Sequence, residues 1–82
     1  MDKDTIDLHG NRVEDAIFEL DKFINFSIIN KIEEIKIIHG KGKGILREAI
    51  TEYLGKSSLV LSFEANSVFY GYGTIVARLI KI

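Results

Sequence analysis

The sequence predicts an α+β fold, a βαβαββ two-layer sandwich in which a four-stranded mixed sheet carries both helices on one face. Three features predict it: a short alternating strand ahead of a long helical stretch, an isoleucine-rich strand ahead of a second helical stretch, and two closing strands around a glycine-bearing loop. A chain of 82 residues closes one hydrophobic core, so residues 1–82 are read as one domain. Two successive right-handed crossovers running in one direction put both helices on the same side of the sheet. The other side is left for solvent or for a binding partner.

Thr5 to His9 alternates, with Ile6 and Leu8 facing one way and Thr5, Asp7 and His9 the other, as a half-buried strand does. Gly10 ends it. From Val13 to Asn30, the residues Val13, Ala16, Ile17, Leu20, Ile24 and Ile28 recur at helical spacing and form one apolar stripe. Asn11 is the expected N-cap, with Glu14 completing a capping box. Glu34 to His39 is too short for a helix and rich in isoleucine, which predicts a buried parallel strand. Gly40-Lys41-Gly42-Lys43-Gly44 is then a loop. Helical spacing resumes with Ile45, Leu46, Ala49, Ile50, Tyr53 and Leu54, and Gly55 is expected at a left-handed C-terminal position. Leu59 to Ala65 and Thr74 to Ile82 are the closing strands, joined by a loop from Asn66 to Gly73.

Composition narrows the functional classes. With 46% hydrophobic residues, five Phe and three Tyr, the chain supports a core without disulfides or structural metal. The absence of cysteine excludes a disulfide scaffold and cysteine-ligated zinc, and fits a reducing, cytoplasmic setting. The first residues lead into a strand pattern instead of an apolar signal sequence, and no apolar run is long enough for a bilayer, so no membrane partner is expected. Net charge is −1, but its distribution is uneven. Lys36, His39, Lys41, Lys43 and Arg47 fall in a stretch without an acidic residue, while Glu14, Asp15, Glu19 and Asp21 cluster on the first helix. A basic end is expected, suited to a polyanion.

In a parallel βαβ unit the carboxyl ends of both strands lie side by side where the helix N-termini open, which is where ligands bind. Asp7-Leu8-His9-Gly10 closes the first strand and His39-Gly40-Lys41-Gly42-Lys43-Gly44 closes the second. A carboxylate beside an imidazole orients the ring and fixes its tautomer for proton transfer; the alternative use of Asp7 and His9 is as exposed polar groups at a strand end. Glycines alternating with lysines let backbone amides approach a phosphate while ammonium groups neutralise it; the alternative is a tight turn with solvated lysines. The G-x-x-x-x-G-K-[ST] spacing of a nucleotide-binding loop is absent. Tyr70 and Tyr72 divide between base stacking and local packing, and Phe69 is read as packing.

Taken in order, Asp7-Leu8-His9-Gly10, Val13-Glu14-Asp15-Ala16, Ile37-Ile38-His39-Gly40-Lys41-Gly42, Leu46-Arg47 and Gly73-Thr74-Ile75-Val76 resemble the Smr (small MutS-related) domain over Thr5 to Leu79. The segment Ala16 to Phe23 is most similar to the domain at the C-terminus of bacterial MutS-type proteins. The resemblance implies a fold like that of the C-terminal domain of a bacterial translation initiation factor, binding of DNA or RNA, nicking endonuclease activity in several members, and roles in recombination and repair or at stalled ribosomes. It also implies the rest of a MutS-type ATPase as a partner. Family motifs carry over to Asp7, His9, Gly10, His39, Gly40, Lys41 and Gly42. Arg12 replaces the Thr or Ser that often precedes the first helix, Tyr70-Gly71-Tyr72-Gly73 replaces Gly-Gly-x-Gly, and MutS-attached members often carry Arg where His9 stands.

The leading expectation is therefore a phosphodiester-cleaving domain. Asp7 and His9 are its catalytic candidates, and Gly10, His39, Gly40, Lys41, Gly42, Lys43, Arg47 and Tyr72 its nucleic-acid-binding candidates. No cofactor is assigned. One divalent metal, magnesium or manganese, or none is expected, since only Asp7 is obviously placed as an acidic ligand. The second expectation is a binding module without catalysis. The third is an interaction domain using Phe18, Phe26 and Ile29, which lie off the main apolar stripe.

Overall fold

The elements form where burial periodicity and turn chemistry agree. In a computed structural model, which describes residues 2–42, 44–65 and 73–82, the order is β1 (Thr5–Asp7), α1 (Val13–Ile29), β2 (Glu34–Ile38), α2 (Ile45–Lys56), β3 (Val60–Ala65) and β4 (Thr74–Leu79). The sheet runs β1-β2-β4-β3. β1 and β2 are parallel, with Ile6 opposite Ile37 and Asp7 opposite Ile38. β4 runs antiparallel to both β2 and β3, so it lies between the strands that precede and follow α2. The expected α+β sandwich with a mixed four-stranded sheet and an open face is the fold observed.

One apolar cluster holds the two layers together. Ala16, Leu20, Ile24 and Ile28 of α1 and Ile50 and Leu54 of α2 meet Leu8, Ile35, Ile37, Ile75, Ala77 and Leu79, all buried. Alternate residues of β2 and β4 face this cluster, as the period of two requires. The helices are also pinned to each other. The Tyr53 hydroxyl donates to Asp21 at 2.6 Å, and burial together with that carboxylate pushes the phenol up to about 12. Phe18, Phe26 and Ile29 stay exposed on the outer side of α1, as their position off the stripe predicts.

Several boundaries differ from expectation, each for a local reason. β1 stops at Asp7 and not His9, because the Asn11 N–H bonds to the Leu8 carbonyl and closes a turn over His9 and Gly10. That same turn removes Asn11 from capping duty. The N-cap is Arg12, whose side chain makes no cap bond, and Glu14 and Asp15 instead complement the positive end of the helix. Gly55 lies inside α2, which runs on to Lys56 with Ser57 as its C-cap. Ile45, expected on the apolar side of α2, is exposed, and Leu46 beside it packs against the core instead. β4 ends at Leu79, and residues 80–82 continue without pairing as strand.

α1 ends in a Schellman motif without glycine. Lys31 N–H bonds to the Ile28 carbonyl at 3.0 Å and Ile32 N–H to the Ser27 carbonyl at 2.8 Å, which places Lys31 at C′ with φ 60°. A side chain in this left-handed conformation costs about 1 kcal/mol relative to glycine. Lys31→Gly is expected to raise the unfolding free energy by about that amount, and Tm by roughly 4–8 °C; thermal unfolding of the two proteins measures it.

Candidate nucleic-acid interface

Three chain segments converge beyond the carboxyl ends of β1 and β2. Parallel pairing carries β1 alongside β2, and the Leu8 N–H bonds to the Ile38 carbonyl at 2.7 Å, which sets the turn after β1 beside the turn after β2. The start of β4 closes the group. The Gly73 carbonyl accepts from the His39 N–H at 2.7 Å and from the Gly40 N–H at 3.3 Å.

Glycine is required at two of these contacts. Gly40 has φ 84°, and a Cβ there would lie 3.1 Å from the His9 Cβ. Gly73 has φ 86°, and a Cβ there would meet the carbonyl carbon of Gly40 at 3.1 Å and its oxygen at 3.2 Å. The backbone of Gly40 is thus packed closely between the two other segments, so that a side chain at Gly40 or Gly73 is tightly crowded as well as conformationally strained. The resulting cleft, about 410 Å³, is lined by His9, Gly10, Asn11, His39, Gly40, Lys41, Gly42, Gly44, Ile45, Leu46 and Arg47. Six of the eight nucleic-acid-binding candidates named above therefore share one rim. The other two, Lys43 and Tyr72, lie outside the described residues, as do Phe69 and Tyr70. Lys36 is elsewhere, on β2, with its ammonium 3.6 Å from Asp4.

The two histidines occupy different environments. Leu8 is anchored in the core, so Asp7 and His9 on either side of it turn away from the core toward solvent. There they pair with each other. The His9 Nδ1 stands 2.5 Å from Asp7 Oδ1, and the His9 backbone N–H donates to the same oxygen at 3.1 Å. These bonds, side chain first, hold the Asp7 carboxyl below its ordinary value, with burial acting weakly against them. An ionised carboxylate only accepts, so Nδ1 of His9 carries the proton and a neutral ring keeps its lone pair on Nε2. The pair has the tautomer that a proton acceptor requires.

His39 is oriented inward and is only 8% exposed. Burial holds its imidazole below the ordinary value, a backbone hydrogen bond with Gly40 acts in the opposite direction, and the Arg47 charge adds to the lowering. Its Nε2 is buried without a hydrogen-bond partner among the described residues, and so is Nε of Arg47. The sequence motif marks His39 as a strand-end polar residue. It does not show that the ring lies beneath α2, because that depends on Ile37 and His39 sharing the covered face of β2. Arg47, on the first turn of α2, is close enough for its charge to act on that ring.

The donor set at the rim does not fit a two-metal centre. Among the described residues no acidic side chain lines the cleft, no group of three or more His, Cys, Asp or Glu gathers anywhere, and the Asp7 Oδ1 is already engaged twice by His9. No helix among the described residues is long and apolar enough to cross a membrane.

Comparison with known proteins agrees with this architecture. The sequence model of the family described as Smr domain matches residues 6–79. A protein named endonuclease MutS2 from Finegoldia magna is 47% identical over 62 residues, which is 76% of this chain and 8% of that protein. The endonuclease MutS2 of Streptococcus thermophilus is 41% identical over 75 residues, 90% of this chain and 10% of that protein. The chain therefore spans about a tenth of the length of these curated relatives. The crystal structure of the Smr domain of Thermus thermophilus MutS2 superposes with a TM-score of 0.88 at 32% identity, covering 93% of this chain and 96% of that one. YdaL, a stand-alone small MutS-related protein from Escherichia coli, shares the fold with a TM-score of 0.89 at 22% identity, over 99% of this chain and 67% of that one.

Two outcomes follow from the rim geometry. Gly10 has φ 79° but open space around it, so Gly10→Ala pays only the left-handed cost of about 1–2 kcal/mol. Gly40→Ala and Gly73→Ala pay that and the steric contact as well, and chemical denaturation is expected to show both less stable than Gly10→Ala by about 1 kcal/mol or more. The second outcome concerns pH. His39 in the folded chain resists a proton that the unfolded chain takes up near 6.5, so the unfolded state binds more protons below that pH. The stability contributed by His39 is fully present above 6.5 and is lost as pH falls through the depressed folded value. Denaturant unfolding between about pH 7.5 and about pH 5 is expected to show this decline, and His39→Gln to flatten it.

Proposed function

Because the chain belongs to the Smr domain family, we propose that it binds nucleic acid at the rim between β1, β2 and α2 and nicks a phosphodiester there. The observation that carries this reading is the Asp7–His9 pair, oriented and solvent-facing, beside a glycine-rich backbone with Lys41 and Arg47. Relatives named endonuclease MutS2 support it.

In this mechanism His9 Nε2 accepts the proton of the attacking hydroxyl, which is water or, on RNA, the neighbouring 2′-hydroxyl. The oxygen–phosphorus bond forms as the bond from phosphorus to the departing oxygen breaks, and the proton held by His9 passes to that oxygen. Asp7 keeps the ring in the competent tautomer and stabilises the imidazolium that forms in between. Lys41 and the amides of the Gly40–Gly44 loop stabilise the charge that accumulates on the phosphoryl oxygens. Lys43 and Tyr72 extend the contact with the strand. The cell's cytoplasm, and within a longer MutS-type ATPase, is the setting this chemistry suits, with recombination, repair or ribosome rescue as its context. A divalent cation, magnesium or manganese, would have Asp7 as its protein carboxylate, and no step depends on it.

Proton transfer by a positioned side chain contributes about 10²–10⁴-fold. His9→Ala is expected to slow plasmid or RNA nicking by that factor, and Asp7→Ala to do so by less, since the ring survives without its orienting partner. Undiminished cleavage in both variants contradicts the mechanism. Binding and cleavage separate in the salt response: Lys41→Ala is expected to lower the slope of log affinity against log salt by about 1, whereas His9→Ala leaves that slope unchanged.

A further inference from the structure

We infer that β3 is an interface between two copies of this chain, which pair antiparallel along their β3 edges with Phe63 opposite Phe63 of the other copy. Two four-stranded sheets thereby join into one of eight strands. The inference is independent of the nicking reading.

The sheet has two edges, β1 and β3. β1 is three residues long, and its Thr5 N–H is already taken by the Asp2 carbonyl. β3 is six residues long, contains neither proline nor a basic residue, and carries two exposed apolar side chains, Leu61 at 66% and Phe63 at 37%. Brevity, proline and lysine are the usual protection of an edge against another strand. Here only the bulge between Val60 and Ser62 and one charge, Glu64, offer any, and Ser62 to Ala65 pair regularly with β4 on one side and with no described strand on the other.

The direction of the backbone groups follows from β4. Leu79 N–H bonds to the Glu33 carbonyl and His39 N–H to the Gly73 carbonyl, so Gly73, Ile75, Ala77 and Leu79 turn their peptide groups toward β2. Val76 and Arg78 turn theirs toward β3, where they meet Glu64 and Ser62. Phe63 and Ala65 therefore direct N–H and C=O outward, at the open edge. An antiparallel copy related by a two-fold axis supplies the same groups in the complementary order.

Side chains select the register. Outward-facing residues must meet outward-facing residues, so within β3 Phe63 stands opposite either Phe63 or Ala65 of the other copy. The Ala65 register sets Glu64 opposite Glu64, and like charges directly opposite are destabilising. The Phe63 register sets Glu64 opposite Ser62. Phe63 is opposite the buried Ala77 in its own sheet, so the two rings meet on the helix-covered face and close over each other's exposed part. On the open face Ser62 is beside Arg78, and the sequence across the joined strands is Glu34, Arg78, Ser62 and then Glu64 of the other copy. Arg78 is 3.9 Å from Glu34 and two strands, about 10 Å, from that second carboxylate, with only a serine between them. The symmetry repeats this charge match at both ends of the interface. A paired stretch this short buries less than the ~1,000 Å² of a stable interface, so the dimer is a weak one.

Sedimentation equilibrium of the 82-residue chain, over about a hundredfold range reaching about 1 mM, is expected to show mass rising toward that of two chains. Glu64→Arg and Arg78→Glu, both at exposed positions, are each expected to weaken association about tenfold, because each places like charges at both ends of the interface. An equimolar mixture of the two variants is expected to recover the association of the unaltered chain, since each substituted side chain then faces its opposite charge and the other end keeps the native pair. A chain that stays monomeric throughout, association indifferent to both substitutions, or a mixture that associates no more strongly than either variant alone overturns the proposal.

Discussion

The close packing of three backbones at Gly40 is the contact on which the site depends. Gly40 lies against His9 on one side and against Gly73 on the other, and in each case the missing side chain is what permits the approach. Through this contact the sheet order becomes functional. β1 must pair with β2 in parallel to bring His9 to the rim, and β4 must insert beside β2 for Gly73 to accept from His39 and Gly40. A sheet with the same strands in another order would carry the same side chains on separate edges.

Holding the rim by backbone contacts frees the side chains for polar work. Asp7 and His9 pair in solvent, and neither is needed for the core, which Ile6 and Leu8 supply from the same stretch of chain. By contrast, Nε2 of His39 and Nε of Arg47 are buried without a hydrogen-bond partner among the described residues, an arrangement that stability alone does not favour. Charge is divided along the same lines. The acidic residues of α1 lie outside the cleft, whereas the described side chains lining it include Lys41 and Arg47 and no carboxylate. A polyanion approaching this end meets donors and cations and little repulsion.

Much of this was legible in the sequence, because it depends on local periodicity. The stripe from Ala16 to Ile28, the alternation around Leu8 and the glycine spacing after His39 each fix an element and its facing from neighbouring residues. The convergence of the two histidine turns was legible too, since parallel βαβ geometry places consecutive strand ends side by side. The features that were not legible depend on contacts distant in sequence. Nothing near Gly73 indicates that its carbonyl will bridge His39 and Gly40. The separate environments of His9 and His39 arise from which sheet face the helices cover. Gly55 resembles a helix stop, yet α2 continues past it to Lys56; Asn11 resembles a cap, yet the turn after β1 claims it first.

The central claim is that one rim, bounded by the two histidine turns and the start of α2, receives the nucleic-acid backbone. Chemical-shift mapping with a cleavage-resistant single-stranded oligonucleotide addresses it most directly, because every described backbone amide reports independently of activity. The largest shifts are predicted at His9, Gly10, Gly40, Lys41, Leu46 and Arg47, with β3 and the outer side of α1 unaffected. Shifts concentrated on the uncovered sheet face at Lys36, Val76 and Arg78, or along Phe18, Phe26 and Ile29, with the rim unmoved, would contradict the account.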